Sequence, residues 1–334
     1  MVLVSTHRFS LNKSALKLVN EFIENAYKYR VSVEKSECGA TIINAGLNSN
    51  GGFRAGEIVT EICLAGCGKA SIMPIQYGQL VLPSVFIATD YPALSTLGSQ
   101  FAGWKIEGEE FSADASGPAR ALAMEPLDLF QKLQYKEESD VAVLLLEAEK
   151  KPPEALIRQV AEKCRVSAES LYLIVFSPNS LTGAIQGCGR VVETGLRKLV
   201  QAGLDPLGVK DAWGYAPIPS LHPNPIESKE RMNNAIISCG VTHYDVDCDD
   251  DRHLRMVVSK AHASALKMLR EAQKLAGQNP RYKDLLKESG IDVLKVDADT
   301  VAPALVTLSS LKTGFSFSGG IFDFEAIKRS LGTL

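Results

Sequence analysis

The chain has 334 residues, 36 basic against 39 acidic side chains, and a formal net charge of −3. That balance argues against a nucleic-acid partner, since a duplex binder needs a net basic face, but it leaves room for a local basic pocket around a small anion. With 46% hydrophobic and 22% charged residues, the composition is that of a globular protein large enough for two domains, and it argues against disordered or fibrous structure.

No stretch reaches the roughly 18–20 uninterrupted apolar residues of a membrane span. The opening MVLVSTHRFSLNKSALKLVNEF lacks the apolar run and small-residue cleavage site of a secretory signal. These features predict a soluble, cytoplasmic protein with no membrane partner. The seven cysteines, at 38, 63, 67, 164, 188, 239 and 248, are odd in number and follow no disulfide spacing. Cys63 and Cys67 have a CxxxC spacing, but no second Cys or His pair follows at zinc-site spacing. Buried free thiols and no metal site are the expectation.

In chain order, residues 11–30 carry Leu16, Val19, Phe22, Ile23 and Tyr27 at helical spacing. Two short strands, VSVEK and ATIINAG, come next, then the glycine-rich turn NSNGGF before EIVTEICLAG. VLPSVFIATD reads as a strand broken at Pro83, and GPARALAME as a short helix entered through Gly-Pro. Buried strand and amphipathic helix then alternate: VAVLLLEA, PPEALIRQVAEKC, LYLIVF, and a helix over 180–202. A proline-rich connection covers 213–228, and NNAIISCGVTHYDVDC begins as a strand. Helical stretches at 253–275 and 281–288 precede two last strands, VAPALVTLSS and TGFSFSGG, and a final helix. The fold class predicted is α+β (α/β-like): two domains, mixed β-sheet flanked by helices, and a ligand cleft between them. The simplest division is 1–150 and 151–334, with discontinuous segments allowed.

Phosphate-cradling and nucleophile motifs fail on inspection. GCGKAS lacks the Walker glycine and the hydroxyl residue after Lys69, GCGRVVETG misplaces its third glycine, and no GxSxG is present. The informative segment is the helix over 180–202. Its apolar stripe is Leu181, Ile185, Cys188, Val192, Gly195, Leu196 and Leu199, while Gln186, Arg190, Glu193 and Arg197 share the opposite face. Ser177 or Asn179 is the expected cap. Arg190 and Glu193, three apart, meet either as a solvated ion pair or as part of a site. Gly183, Gly187 and Gly189 lie on or beside that face, where a ligand, another backbone or a neighbouring subunit comes close.

These residues resemble the methenyltetrahydromethanopterin cyclohydrolase family. The similarity runs through TEICLAG (60–66), LGSQFAGW (97–104), SGPARALA (116–123), IQGCGRVVETG (185–195), GYAPIP (214–219), RMNNA (231–235) and APALVT (302–307), nearly the whole chain. It implies hydrolysis of the cyclic formamidinium of 5,10-methenyltetrahydromethanopterin to the 5-formyl pterin in one-carbon metabolism, without metal or redox cofactor. The resemblance makes Glu193 the general base and Arg190 its orienting partner. Gln186, Ser116, Gly117, Arg120, Trp104, Arg231 and Asn233 become candidate substrate contacts, with Arg120 open to a tail phosphate or a surface role and Trp104 open to stacking or core packing. A homotrimer is implied as well. The alternative is a paralogue that binds the pterin without turning it over.

Overall fold

The computed structural model describes residues 9–278 and 301–331; the helical stretch expected at 281–288 lies outside them. Helix α1 (Leu11–Glu24) starts at Ser10, whose side chain accepts from the Lys13 N–H, and buries Leu11, Ala15, Val19 and Phe22. The helix expected over 11–30 breaks at Asn25. A separate turn, α2 (Ala26–Tyr29), follows, and Tyr27 falls out of the apolar stripe, 97% exposed. Strands β1 (Ser32–Lys35) and β2 (Thr41–Gly46) precede α3 (Phe53–Cys63), which already begins inside the glycine-rich segment.

The hairpin β3 (Gly68–Tyr77) and β4 (Leu80–Thr89) corrects the expectation of a break at Pro83. Pro83 stands opposite Pro74, so each lacks an N–H where its partner lacks one too, and the strand runs on. A wide π-helical turn (Ala93–Gln100) leads into β5 (Trp104–Gly108), β6 (Phe111–Ser116), α4 (Ala119–Ala123) and α5 (Leu127–Leu133). The expected alternation then appears as β7 (Ala142–Glu147), α6 (Glu154–Cys164) and β8 (Leu171–Phe176).

The helix expected over 180–202 is two helices, α7 (Leu181–Cys188) and α8 (Val191–Gln201), parted at Gly189–Arg190. Its cap is Ser180, not Ser177 or Asn179: the Ser180 hydroxyl accepts from the Gly183 N–H at 3.0 Å. Next come β9 (Val209–Pro217) and α9 (Pro225–Cys239). Residues 233–239, expected as the start of a strand, are therefore helical. Asn224 caps two N–H groups and Pro225 follows at the first turn, which starts a helix strong enough to run to Gly240. The rest is β10 (Val241–Val246), α10 (Asp251–Val258), α11 (Ala263–Gln278), β11 (Leu305–Ser310), β12 (Ser316–Gly320) and α12 (Phe324–Ser330).

The strands form two mixed six-stranded sheets, in the orders β1-β2-β8-β7-β6-β5 and β12-β11-β10-β9-β4-β3. The architecture is α+β, as expected. Each sheet takes strands from both sides of residue 150, and the chain visits them alternately. The first sheet is covered on both faces. Val143, Leu145 and Ile174 meet α1 and α3, while Leu144, Leu146 and Leu173 meet α6, which is why β7 and β8 read as unbroken apolar runs. In the second sheet β10 and β11 alternate buried and half-buried residues, so one face packs against α8 and α10 through Tyr244, Val246, Val306 and Leu308. Helices α7 and α8 carry the chain from the first sheet to the second.

Asn12, fully buried, ties three parts together. Its Nδ2 donates to the Pro118 carbonyl at 2.9 Å and its Oδ1 accepts from the Val143 N–H at 3.0 Å. Asn12→Ala strands two buried backbone groups, each costing about 1–3 kcal/mol. The expected result is a fall in melting temperature on the order of 5 °C, read by thermal unfolding; a change under about 1 °C would show that the bridge contributes nothing.

Candidate functional site

The parted helix sets the site. Gly189 lies 2.8 Å, measured from the Cβ it lacks, from Thr60 Cγ2 on α3, and its carbonyl accepts from Gln100 Nε2 at 3.1 Å. Gly187 meets the Met232 thioether on α9, and Gly183 the Ser177 carbonyl. Close neighbours in the same chain thus account for all three glycines. The break leaves Arg190 as the residue preceding α8, with Glu193 and Arg197 one and two turns in.

Glu193 is fully buried, so the solvated ion pair is excluded. Arg190 donates to Oε2 through both Nε (3.2 Å) and Nη2 (3.1 Å), a two-pronged hold. Arg197 Nε stands 3.1 Å from Oε1, but its N–H is not aimed there, so this contact is an ion pair without a directed hydrogen bond. Oε1 has no hydrogen-bond donor among the described residues. The Arg190 and Arg197 side chains are about one-fifth exposed and form the border between this carboxylate and the solvent side. Burial pulls Arg190 toward its neutral form, but the Glu193 and Glu147 carboxylates outweigh it and raise its pKa overall.

Beneath this pair lies a second buried layer. Arg120 is completely enclosed, so the surface role considered for it is ruled out. Its Nη1 donates to the carbonyls of Leu97 (3.1 Å) and Ser99 (3.2 Å), while Nε and Nη2 have no hydrogen-bond acceptor among the described residues. Burial pushes its pKa down to about 10 against the opposing pull of Glu193. Phe101 carries two guanidinium groups over its ring: Arg120 Cζ and Arg197 Cζ each stand 5.1 Å from the centroid. Ser116 and Gln186 converge on the Cys63 thiol, at 3.3 Å each, and burial keeps that thiol's pKa raised. Gly117, with φ of 101°, donates its N–H to the Ser99 carbonyl at 2.8 Å.

In front of the carboxylate is a chamber of about 250 Å³, lined among others by Phe101, Gly187, Arg190, Thr194, Arg197 and Asn233. It shares Asp114 and Lys229 with an outer groove of about 500 Å³ that runs past Glu147, Lys105 and Lys150. Lys229 Nζ lies 2.6 Å from both Asp114 Oδ2 and Glu147 Oε1, clasping α9 to β6 and β7. Of the residues singled out from sequence, Arg190 and Asn233 line the chamber and Glu193 lies directly behind it. Gln186, Ser116, Gly117 and Arg120 belong to the buried layer. Trp104 is not brought to the site; it packs in the core of the first sheet with Lys163 over its ring. Arg231 instead donates to the Ser220 carbonyl at 3.1 Å, holding the connection before α9. Sequence reasoning missed Lys229, Asp114 and Glu147. Arg197 was visible at four residues from Glu193 but was given no role.

Fold and site together define an α+β protein with a buried carboxylate held by arginines behind a chamber. A profile of the family described as Cyclohydrolase (MCH) matches residues 10–331. The methenyltetrahydromethanopterin cyclohydrolase of Methanothermobacter marburgensis is 38% identical over 326 residues, covering 97% of this chain and 99% of the relative. Proteins of the same name from Methanocaldococcus jannaschii and Methanococcoides burtonii are 35% and 33% identical, each covering 97% of this chain and 98% of the relative. The chain belongs to the cyclohydrolase (MCH) family.

Burial lowers the Lys229 pKa, but Glu147 and Asp114 more than compensate and raise it above the ordinary 10.5. A lysine whose pKa is higher in the folded state contributes stability that is fully present below 10.5 and lost as pH rises through the raised value. Lys229→Met is therefore expected to melt below the parent by a constant margin from about pH 7 to 9, and the margin should close above pH 10.5. Melting curves across that range test this, and a margin that persists at high pH would assign the loss to packing alone.

Proposed function

We propose that this protein is a methenyltetrahydromethanopterin cyclohydrolase, with the pterin in the chamber between the two halves and Glu193 as the base. The observation that carries the reading is the Glu193 carboxylate, anchored through one oxygen by Arg190 while the other has no hydrogen-bond donor. A carboxylate so held is oriented and keeps a lone pair for a proton. The relatives that match nearly full length carry the name of this activity.

In this reading a water oxygen bonds to the cationic methenyl carbon and gives a proton to Glu193 Oε1, forming a neutral tetrahedral adduct. The adduct hydroxyl then loses its proton as the C=O forms. The C–N bond breaks, and the departing nitrogen takes a proton from Glu193. One proton per turnover leaves to solvent. The carbon keeps its oxidation level, so no electron carrier takes part, and it is cationic from the start, so no Lewis acid has to activate it. Arg190 holds the carboxylate in place through its two N–H bonds to Oε2. Asn233 and Phe101 line the chamber, and the rest of the substrate extends into the outer groove past Lys229, which is lined by lysines and acids alike. Arg120 serves this site from behind Phe101.

A net charge of −3 supports a partner set without nucleic acid, and no helix among the described residues is long and apolar enough to cross a membrane. We place the enzyme in the cytoplasm as a homotrimer, a state that sedimentation would check. Nothing observed favours the non-catalytic alternative.

Glu193→Gln keeps the side-chain shape and removes the proton acceptor. Its expected kcat is about 10²–10⁴-fold lower, with folding judged by circular dichroism. The loss of methenyl-pterin absorbance on adding catalytic amounts of protein is the measurement. Near-parental turnover in the variant would remove Glu193 from the mechanism.

A further inference from the structure

The two guanidinium groups on Glu193 are held differently. Arg190 gives two aligned N–H bonds to Oε2, whereas Arg197 faces Oε1 with no directed bond. Arg197 also lines the chamber, is about one-fifth exposed, and rests on the Phe101 ring, which lines the same chamber. A cationic ring that approaches Oε1 meets Arg197 first, and two like charges cannot share that oxygen at low cost. Other charges nearby do not remove the conflict: Arg120 adds a buried positive charge, and Lys229 is matched by Asp114 and Glu147.

We propose that Arg197 is an exchangeable counter-ion, which neutralises Glu193 Oε1 when the chamber is empty of substrate and is displaced along the Phe101 face by the cationic formamidinium. Arg190 stays as the fixed clamp. When hydrolysis turns the ring system neutral, Arg197 returns to Oε1. Arg197 thereby sets the relative affinity for the cationic substrate and the neutral product. This rests on the reading of Glu193 as the base.

The test compares Arg197→Met, Arg197→Gln, Arg197→Lys and Phe101→Leu in the full chain, with methenyltetrahydromethanopterin as substrate and its 5-formyl product as inhibitor. Removing the competing charge in Arg197→Met or Arg197→Gln is expected to lower KM for the cation about tenfold. Inhibition by the neutral product should move less than about threefold. Arg197→Lys keeps the charge and should restore a near-parental KM. Phe101→Leu, which removes the platform without changing charge, should not lower KM. Loss of a merely structural residue raises KM or lowers kcat, so a lowered KM is diagnostic. An unchanged or raised KM in both neutral variants, with Glu193→Gln still inactive, overturns the exchange and leaves the base in place. An active Glu193→Gln removes the base reading itself. Two neutral variants of different shape keep the comparison decisive if one of them folds poorly, as circular dichroism would reveal.

Discussion

The structure around the site depends on one buried charge. A carboxylate with no exposed surface is tolerated only where cations and hydrogen bonds replace water, and removing one partner of such a pair costs about 3–5 kcal/mol. Glu193 meets this requirement with two arginines close in sequence, the residue capping α8 three positions before it and Arg197 within α8 four after. The chain parts at Gly189, and Arg190 is the cap residue just before α8, its carbonyl accepting from the Thr194 N–H at 2.8 Å. The Gly189 carbonyl, at the parting, is bound by Gln100. The π-helical turn that carries Gln100 also offers Arg120 its two carbonyl acceptors, and it leads directly into Phe101. The buried charge, the parted helix and the wide turn are therefore parts of one arrangement.

That arrangement sits where the chain passes from one sheet to the other. β8 is buried on both faces of a rigid sheet, and α7 leaves it through a capped start at Ser180. On the far side Tyr244, fully buried on β10, donates to the Val192 carbonyl at 2.8 Å, fixing α8 to the second sheet one residue before Glu193. Glu193 is thus referenced to both halves at once. Lys229 does the same for the chamber mouth, reaching from α9 to acids on two strands of the first sheet. A site held in this way changes shape only through side chains that are loosely bonded, and Arg197 fits that description better than Arg190.

Much of this was legible in the sequence. Apolar runs such as LYLIVF gave the fully covered strands because burial on both faces leaves no room for alternation. The Arg190–Glu193 pair was legible as chemistry, but not its burial, because helical spacing shows which residues share a face and not what covers that face. The polar face of 180–202 lies against α3, α9 and the turn before Phe101, all distant in sequence. Trp104 and Arg231 sat in family-like motifs and yet serve the core and a loop, since a motif records proximity along the chain and not direction of the side chain. The hairpin β3–β4 was obscured by two prolines whose compatibility appears only once they are paired. Lys229, Asp114 and Glu147 carried no local signal; three ordinary surface residue types become a clasp only through tertiary packing.

The charges gathered here also bear on why the site favours reaction over mere binding. Arg120, Arg190, Arg197 and Lys229 face Asp114, Glu147 and Glu193, which leaves a small positive surplus around the chamber. A site built only to hold a cation would carry the opposite sign. In the proposed reading, a formamidinium bound here is stabilised mainly by one carboxylate and opposed by its surroundings, while the adduct formed by water no longer carries that charge. Groups that disfavour the ground state more than the transition state raise kcat at the expense of affinity. An arrangement that at first sight puts too many arginines beside a cationic substrate is consistent with a catalyst that binds weakly in order to turn over.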